Sequence, residues 1–451
     1  MMRAPHEKFE DALADGRLQG AIYSATARLA GGRRSAVNAL PDYQELRQHA
    51  HELKKHTLDH LDYYLEQLER NVLARGGKVI WARDSKDACD FVRNLARERG
   101  VKLIVKSKSM VTEELHLNRH LEEDGLEVVE TDLGEYIIQL AKETPFHIIA
   151  PALHKTIEQV AQVLDAPQDA TAEELTAIAR TTLREKFLAA GIGITGANFV
   201  VADSGAVVIV ENEGNARLSS SAPKIHIAIT GLEKIIPRAQ DLAVFLKLLA
   251  RSATGQALSV YTSFLSGPKR NGEPDGPEEF YLVLVDAGRT RVLADRSKRQ
   301  TLYCIRCGAC LNHCPVYRKI GGYSYPGVYS GPIGKILTPQ FMTSRQAHQG
   351  DWLPFASSLC GACGEVCPVK IEIPRILLEL REETPKNRTE QTVFRMFAWI
   401  MRHPRIYEKG SWLRLLGKLP EIGPLKAWAT ERELPQLPPR TFRELWRQRK
   451  T

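Results

Sequence analysis

Nowhere in these 451 residues do eighteen apolar residues run together, so no helix is expected to span a bilayer. The opening Met-Met-Arg-Ala-Pro-His-Glu-Lys has no apolar stretch of the kind that directs secretion. Cysteine is scarce and unevenly placed: of eight, seven fall between 304 and 367. That is not a disulfide framework. The expectation is a cytoplasmic, reducing location, where thiols stay free or bind metal. No G-x-G-x-x-G run follows a strand, so a dinucleotide site lacks its usual sign. A strong charge on the body of the chain is also missing. The net charge is +8, but residues 402–451 alone hold twelve Lys/Arg against five Asp/Glu. The remainder is close to balanced, and nucleic acid is not an expected partner.

What is present divides into four regions. Residues 1–76 are polar with helical periodicity; over 43–73, Leu46, Leu53, Leu61, Leu65, Leu68 and Val72 fall near one face, and Gly76-Gly77 ends the pattern. In 77–300 short apolar runs alternate with helical patterns. Strands are expected at 78–82, 101–105, 126–130, 146–150, 198–202, 206–210, 225–229 and 281–285, with helices over 85–98 and 111–123. This alternation predicts βαβ units, hence an α/β domain with a mainly parallel sheet. Residues 301–384 hold the seven clustered cysteines. After Thr384-Pro-Lys-Asn-Arg, residues 385–451 form a basic tail with Trp399, Trp412, Trp428 and Trp446.

The cysteines carry the most specific signal. Cys304, Cys307, Cys310 and Cys314, followed by Pro315, form C-x2-C-x2-C-x3-C-P, the spacing of ferredoxin-type iron–sulfur ligands. Three thiolates at three-residue intervals on a tight loop can each reach a different iron of one cube. Cys314, about one helical turn past Cys310, points instead toward a second cube. A second run, Cys360, Cys363 and Cys367 followed by Pro368, lacks one position: Ser357 stands where the first cysteine belongs. Crossed ligation then assigns Cys304, Cys307, Cys310 and Cys367 to cluster 1, and Cys314, Cys360 and Cys363 to cluster 2. The fourth iron of cluster 2 is left to Ser357, Ser358, His313 or solvent, or it is absent and the centre is 3Fe-4S. A four-iron cluster with a labile corner is the favoured reading. Structural zinc is the alternative, although paired C-x2-C knuckles are not the pattern found. Cys89 stands alone in an expected helix and reads as a packed thiol.

In these motifs the chain resembles the lactate-utilisation protein B family, iron–sulfur proteins of bacterial L-lactate oxidation. The likeness also runs through Lys106-Ser-Lys-Ser-Met, Gly193-Ile-Thr-Gly-Ala-Asn, Ala202-Asp-Ser-Gly-Ala, Glu211-Asn-Glu-Gly-Asn-Ala-Arg and Pro223-Lys-Ile-His. It implies that 77–300 is an LUD domain, related to sugar-phosphate isomerases and CoA transferases, and that 301–384 is a small α-helical two-cluster domain. It also implies two 4Fe-4S clusters, the second with three cysteine ligands. The implied partners are a cysteine-rich redox subunit and a second LUD protein, and the implied role is electron transfer as L-lactate becomes pyruvate.

The α/β region also places polar residues on turns: Lys106, Lys108, Thr195, Asn198, Asp203, Ser204, Glu211, Asn212, Asn215 and Arg217. Lys106, Lys108, Asn198, Glu211 and Arg217 are the candidates for a small-ligand pocket, since loops after parallel strands are the usual ligand sites. Turn and cap chemistry explains such residues equally well. His49, His51, His56 and His60 read as a solvated helical face rather than a metal site. The basic, tryptophan-bearing tail suits partner docking first, packing on its own domain second and a membrane surface third. Three functions therefore compete. They are an electron-transfer subunit that is not catalytic alone, a self-contained LUD-domain oxidoreductase acting on a small carboxylate or CoA ester, and a cluster-stabilised assembly scaffold.

Overall fold

A six-stranded, wholly parallel sheet organises the α/β region. The computed structural model describes residues 6–342, 350–384, 388–409 and 438–449. Its strands are β1 (Lys78–Ala82), β2 (Leu103–Lys106), β3 (Glu127–Glu130), β4 (Ile192–Thr195), β5 (Phe199–Val201), β6 (Ala206–Glu211), β7 (Ile225–Gly231), β8 (Ile235–Ile236), β9 (Tyr261–Leu265) and β10 (Glu279–Val285). The large sheet runs β1-β10-β7-β4-β2-β3, and a smaller one runs β8-β5-β6-β9. Every pairing in the large sheet is parallel. In the small sheet β6 lies antiparallel to β5 and β9, while β8 is parallel to β5. Central strands of a parallel sheet are covered on both faces and so read as continuous apolar runs. β7 is buried along its whole length and β10 along nearly all of it.

The helix expected over 85–98 forms as Ser85–Glu98, with the Asp84 side chain capping the Asp87 N–H and Ala88, Cys89, Val92, Leu95 and Ala96 buried. Three expectations are corrected. Residues 43–73 form two helices, Tyr43–Asp59 and Leu61–Ala74, broken at His60. The 111–123 helix is also two, Met110–Glu114 and Leu117–Glu122, because His116 adopts a left-handed conformation (φ 53°). The apolar run 146–150 is not a strand. The Phe146 N–H closes a turn on the Pro151 carbonyl, and His147 Nδ1 accepts the N–H groups of Ile149 and Ala150. Its backbone hydrogen bonds are thus spent locally, and its apolar side chains are buried under the cysteine-bearing segment. β8 and β9 went unforeseen: one has two residues, and the other is an edge strand without clean alternation.

Residues 1–383 form one compact unit, and 384–451 form a second. The cysteine segment builds short helices, among them Ala309–Asn312, Tyr317–Ile320, Gly331–Phe341, Ala362–Val366 and Ile373–Glu383. The N-terminal helix Gly16–Asn38 and the helix Tyr43–Asp59 lie against this segment. Arg33 donates to the Val366 carbonyl, and Arg47 donates to the carbonyls of Gly364 and Cys367. Within the second unit, helix Arg388–Arg402 leaves Phe394, Met396, Phe397 and Trp399 exposed, and Glu408 pairs with Arg443 and Arg447. Trp446 is exposed; Trp412 and Trp428 lie outside the described residues. No described helix is long and apolar enough to cross a membrane.

Gly193 tests the packing of the large sheet. A Cβ there would lie 1.7 Å from the Ser219 carbonyl oxygen, on the helix Asn215–Ser221 that covers β4. Gly193→Ala should lower stability by at least the roughly 1–3 kcal/mol of an overpacked core. Gly16→Ala, with nothing within 4 Å of the added carbon, should not destabilise. Thermal unfolding of both variants decides it, and equal melting temperatures would contradict the packing described.

Candidate metal centre and adjoining cavity

The two cysteine runs are built alike. In the first, Arg306 has φ 60° and Gly308 φ 72°; in the second, Leu359 has φ 54° and Gly361 φ 86°. Each glycine opens a short helix, Ala309–Asn312 or Ala362–Val366. The paired left-handed turns wrap the chain so that successive side chains face one point. The Arg306 N–H donates to Cys304 Sγ at 3.4 Å, and the Leu359 N–H donates to Ser357 Oγ at 3.2 Å. Ser357 therefore holds, in the second loop, the place that Cys304 holds in the first.

Two small cavities collect the thiols. One is lined by Cys304, Cys307, Cys310 and Cys367, with an apolar wall from Ile148, Ile305, Ile333 and Ile371. The other is lined by Cys314, Cys360 and Cys363 together with Ser357 and Ser358. Cys367 thus sits with the first run and Cys314 with the second. His313 lines neither cavity, and its Nδ1 turns back to the Ala309 carbonyl. Cys307, Cys310, Cys314 and Cys367 are buried, whereas Cys360 is exposed. Burial, then the negative charge of neighbouring thiolates, raises Cys307 to about 12 and holds Cys310 well above the ordinary thiol value. Burial likewise raises Cys363 and Cys367 to about 11. Thiols so placed ionise only when cationic metal compensates them.

The sites fit iron–sulfur cubes. Among the described residues, no three His, Cys, Asp or Glu side chains converge as ligands of one metal ion would. The thiols instead ring spaces. Further N–H donors reach sulfur: Tyr317 N–H to Cys314 Sγ at 3.4 Å, Ile371 N–H to Cys367 Sγ at 3.3 Å and Lys335 Nζ to Cys314 Sγ at 3.7 Å. Such bonds stabilise thiolate and cluster charge.

Beside the first thiol cavity lies a larger one of about 290 Å³. It opens where β2, β3, β4 and β7 end, with Ser107, Lys108 and Ser109 after β2, Asp132 after β3, Asn198 after β4 and Lys234 after β7. The carboxyl ends of parallel strands are the expected ligand position. Ile148 and Arg306 line both this cavity and the first thiol cavity.

Of the five pocket candidates, Lys108, Asn198 and Glu211 line the cavity. Lys106 does not: it is fully buried, with Glu130 at 2.6 Å and Glu113 at 2.9 Å. Arg217 is exposed and lies over the Tyr261 ring. Asn198 Oδ1 accepts the Val210 N–H, and Glu211 accepts the N–H groups of Ala216 and Arg217. Sequence reasoning missed Lys234, Asp132, Glu213 and Arg306. Arg306 was legible only as a filler between two cysteines. Gly191-Ile-Gly-Ile-Thr-Gly196 has G-x-G-x-x-G spacing but contains β4 itself, and its glycines serve close packing. His56 and His60 are exposed and make no metal-like grouping; His51 Nδ1 meets the Val369 carbonyl.

Comparison with known proteins supplies the remaining context. A family model described as the LUD domain matches residues 65–285, one described as a 4Fe-4S dicluster domain matches 300–371, and one described as lactate utilisation protein B, C-terminal, matches 374–451. The chain is 43% identical to the lactate utilization protein B of Bacillus velezensis, over 98% of this chain and 96% of that one. Identity to the protein of the same name from Shouchella clausii is also 43%, over 99% and 97%. To that of Bacillus licheniformis it is again 43%, over 100% and 98%.

Because Lys106 is bound up in a buried ion network, its loss should act on stability rather than on ligands. Lys106→Met leaves Glu113 and Glu130 uncompensated and should cost about 3–5 kcal/mol. Denaturant unfolding measures it, with iron content per folded chain unchanged. A stable variant would contradict a structural role for the lysine.

Proposed function

Because the chain belongs to the lactate utilization protein B family, we propose that it is the iron–sulfur electron-transfer component of L-lactate oxidation, acting in the cytoplasm with a cysteine-rich redox subunit and a second LUD protein. The observation that carries this reading is the pair of thiol-lined cavities, in which each run of cysteines lends one residue to the other's set. When bound, iron–sulfur cubes pass single electrons. In this reading Cys304, Cys307, Cys310 and Cys367 would hold a first 4Fe-4S cluster, and Cys314, Cys360 and Cys363 a second, with Ser357 lining the same cavity.

The chain's own residues make the two sites unequal. The first is closed by isoleucines and flanked by cations. Arg306 and Lys234 lie near Cys304, as does Lys54, whose ammonium donates to the Glu233 carbonyl. Positive charge there would offset the cost of an added electron in a cavity with an apolar wall. The second site reaches the surface at Cys360. That exposed edge is where a partner can approach. The apolar face of helix Arg388–Arg402 is the proposed docking element of the tail.

Ligation is checked by EPR and iron–sulfide analysis of anaerobically purified variants. Cys304→Ala and Cys367→Ala should remove the same EPR component, and Cys314→Ala and Cys360→Ala the other. If Cys367 groups with Cys360 instead, crossed ligation fails. The oxidised wild-type chain should lack a signal integrating to one three-iron centre. Ser357→Cys should retain a four-iron second cluster.

Function is checked separately. The purified chain, given L-lactate and an artificial acceptor, should be inactive, while dithionite should bleach it reversibly. Activity of the chain alone would favour the self-contained LUD oxidoreductase. Clusters that dithionite cannot reduce would favour the scaffold. Truncation after residue 400 should weaken assembly with the companion subunits and leave the brown colour intact.

A further inference from the structure

The large cavity has binding capacity that the protein itself leaves unused. Three carboxylates line it, and each is engaged. Glu211 accepts the N–H groups of Ala216 and Arg217, Glu213 accepts that of Leu133, and Asp132 accepts that of Glu135. The cations are different. Lys108 Nζ is buried with no hydrogen-bond partner, and no described carboxylate pairs with it within 4 Å. Arg306 has a side chain only 7% exposed; it gives Nη2 to Glu233, but its Nε and Nη1 are buried and unpartnered. Lys234, also buried, lines the same space. A buried cationic donor without a partner is costly, and those of Lys108 and Arg306 meet at one cavity. The same space is also lined by the apolar side chains of Ile148, Ile149, Ile209 and Leu249. At about 290 Å³ the space equals about ten waters at roughly 30 Å³ each, more than a three-carbon acid fills.

We propose that this cavity binds an organic anion, with a carboxylate or phosphate head held by Lys108 and Arg306 and an apolar body against the isoleucine wall. The contact with Arg306 places the bound anion next to the first cluster, so that the cluster senses it; this coupling rests on the electron-carrier reading, whereas the binding does not. Arg306 is the link because it lines both cavities and its backbone N–H donates to Cys304. An anion neutralising its guanidinium withdraws positive charge from the cluster and should lower its potential.

The test titrates the anaerobic, full-length, iron-loaded chain by calorimetry with L-lactate, pyruvate, inorganic phosphate and coenzyme A. EPR-monitored redox titration follows in the presence and absence of each. The expected result is saturable heat with at least one probe and a lowered potential of the buried cluster on its addition. Response to lactate or pyruvate alone assigns a carboxylate head; response to phosphate or coenzyme A alone assigns a phosphate head. Lys108→Met, distant in sequence from every cluster cysteine, should weaken binding about tenfold or more, as expected for a charged hydrogen bond. Lys224→Met, an exposed lysine outside the cavity, should not. No saturable heat with any probe, or binding unaffected by Lys108→Met, overturns the site. Binding without any change at the cluster overturns the coupling through Arg306. A chain that stays colourless yet binds an anion keeps the site and removes the electron-carrier reading.

Discussion

One buried carboxylate ties the α/β sheet to the cysteine loops. Glu233, on the turn after β7, is almost wholly inaccessible. Its Oε2 takes Arg289 Nε at 2.5 Å and its Oε1 takes Arg306 Nη2 at 3.1 Å. Arg289 in turn clasps Glu114 with two bonds of 2.9 Å, and the Tyr329 hydroxyl donates to the same carboxylate. Burial works against the Glu233 charge, yet Arg289, Arg306 and Lys234 hold its carboxyl at about 2. A buried pair of this kind is weak evidence for net stability but strongly penalises rearrangement, because breaking it strands a charge. It therefore fixes position: the loop between Cys304 and Cys307 is locked to the end of a sheet strand.

The remaining contacts around the thiols come from unexpected directions. The second cysteine run is held from the N-terminal side of the chain by Arg33, Arg47 and His51, all bonding to main-chain carbonyls of residues 364–369. The segment 146–151 closes the other side. Gly322 would place a Cβ 1.8 Å from the Phe146 carbonyl, and Gly308 one 2.7 Å from Ile149. The N-terminal helices, the α/β region and the cysteine segment thus form one body. Such fixed spacing holds the cations of the sheet-end cavity at constant distance from the first thiol set.

The second unit is of another kind. Helix Arg388–Arg402 carries Phe394, Met396, Phe397 and Trp399 on its surface alongside its arginines. An apolar, arginine-flanked stripe resembles the anchor residues of protein interfaces.

The cysteine sets were legible in the sequence because ligand spacing is local chemistry: two residues between successive thiols, then a turn, then proline, dictate which sulfurs share a loop. Strands such as β7 and β10 were legible for a similar reason, since burial on both faces writes itself as an unbroken apolar run. The segment 146–150 has that same run but spends its N–H groups on its own turn, and periodicity cannot distinguish those uses. Lys106 and Lys108 differ by two positions and look equivalent as letters. Alternation would put both on one face, but β2 ends at Lys106 and the chain turns beyond it, so one lies against Glu113 and Glu130 and the other lines the cavity. Arg306 could not be found from sequence, because its significance lies in Glu233, seventy-three residues earlier. The sequence by itself determined which thiols group and which stretches build the sheet. Only the tertiary structure decided which cations are left without partners and that their cavity borders the first thiol set, because long-range contacts, not spacing along the chain, place charges beside one another.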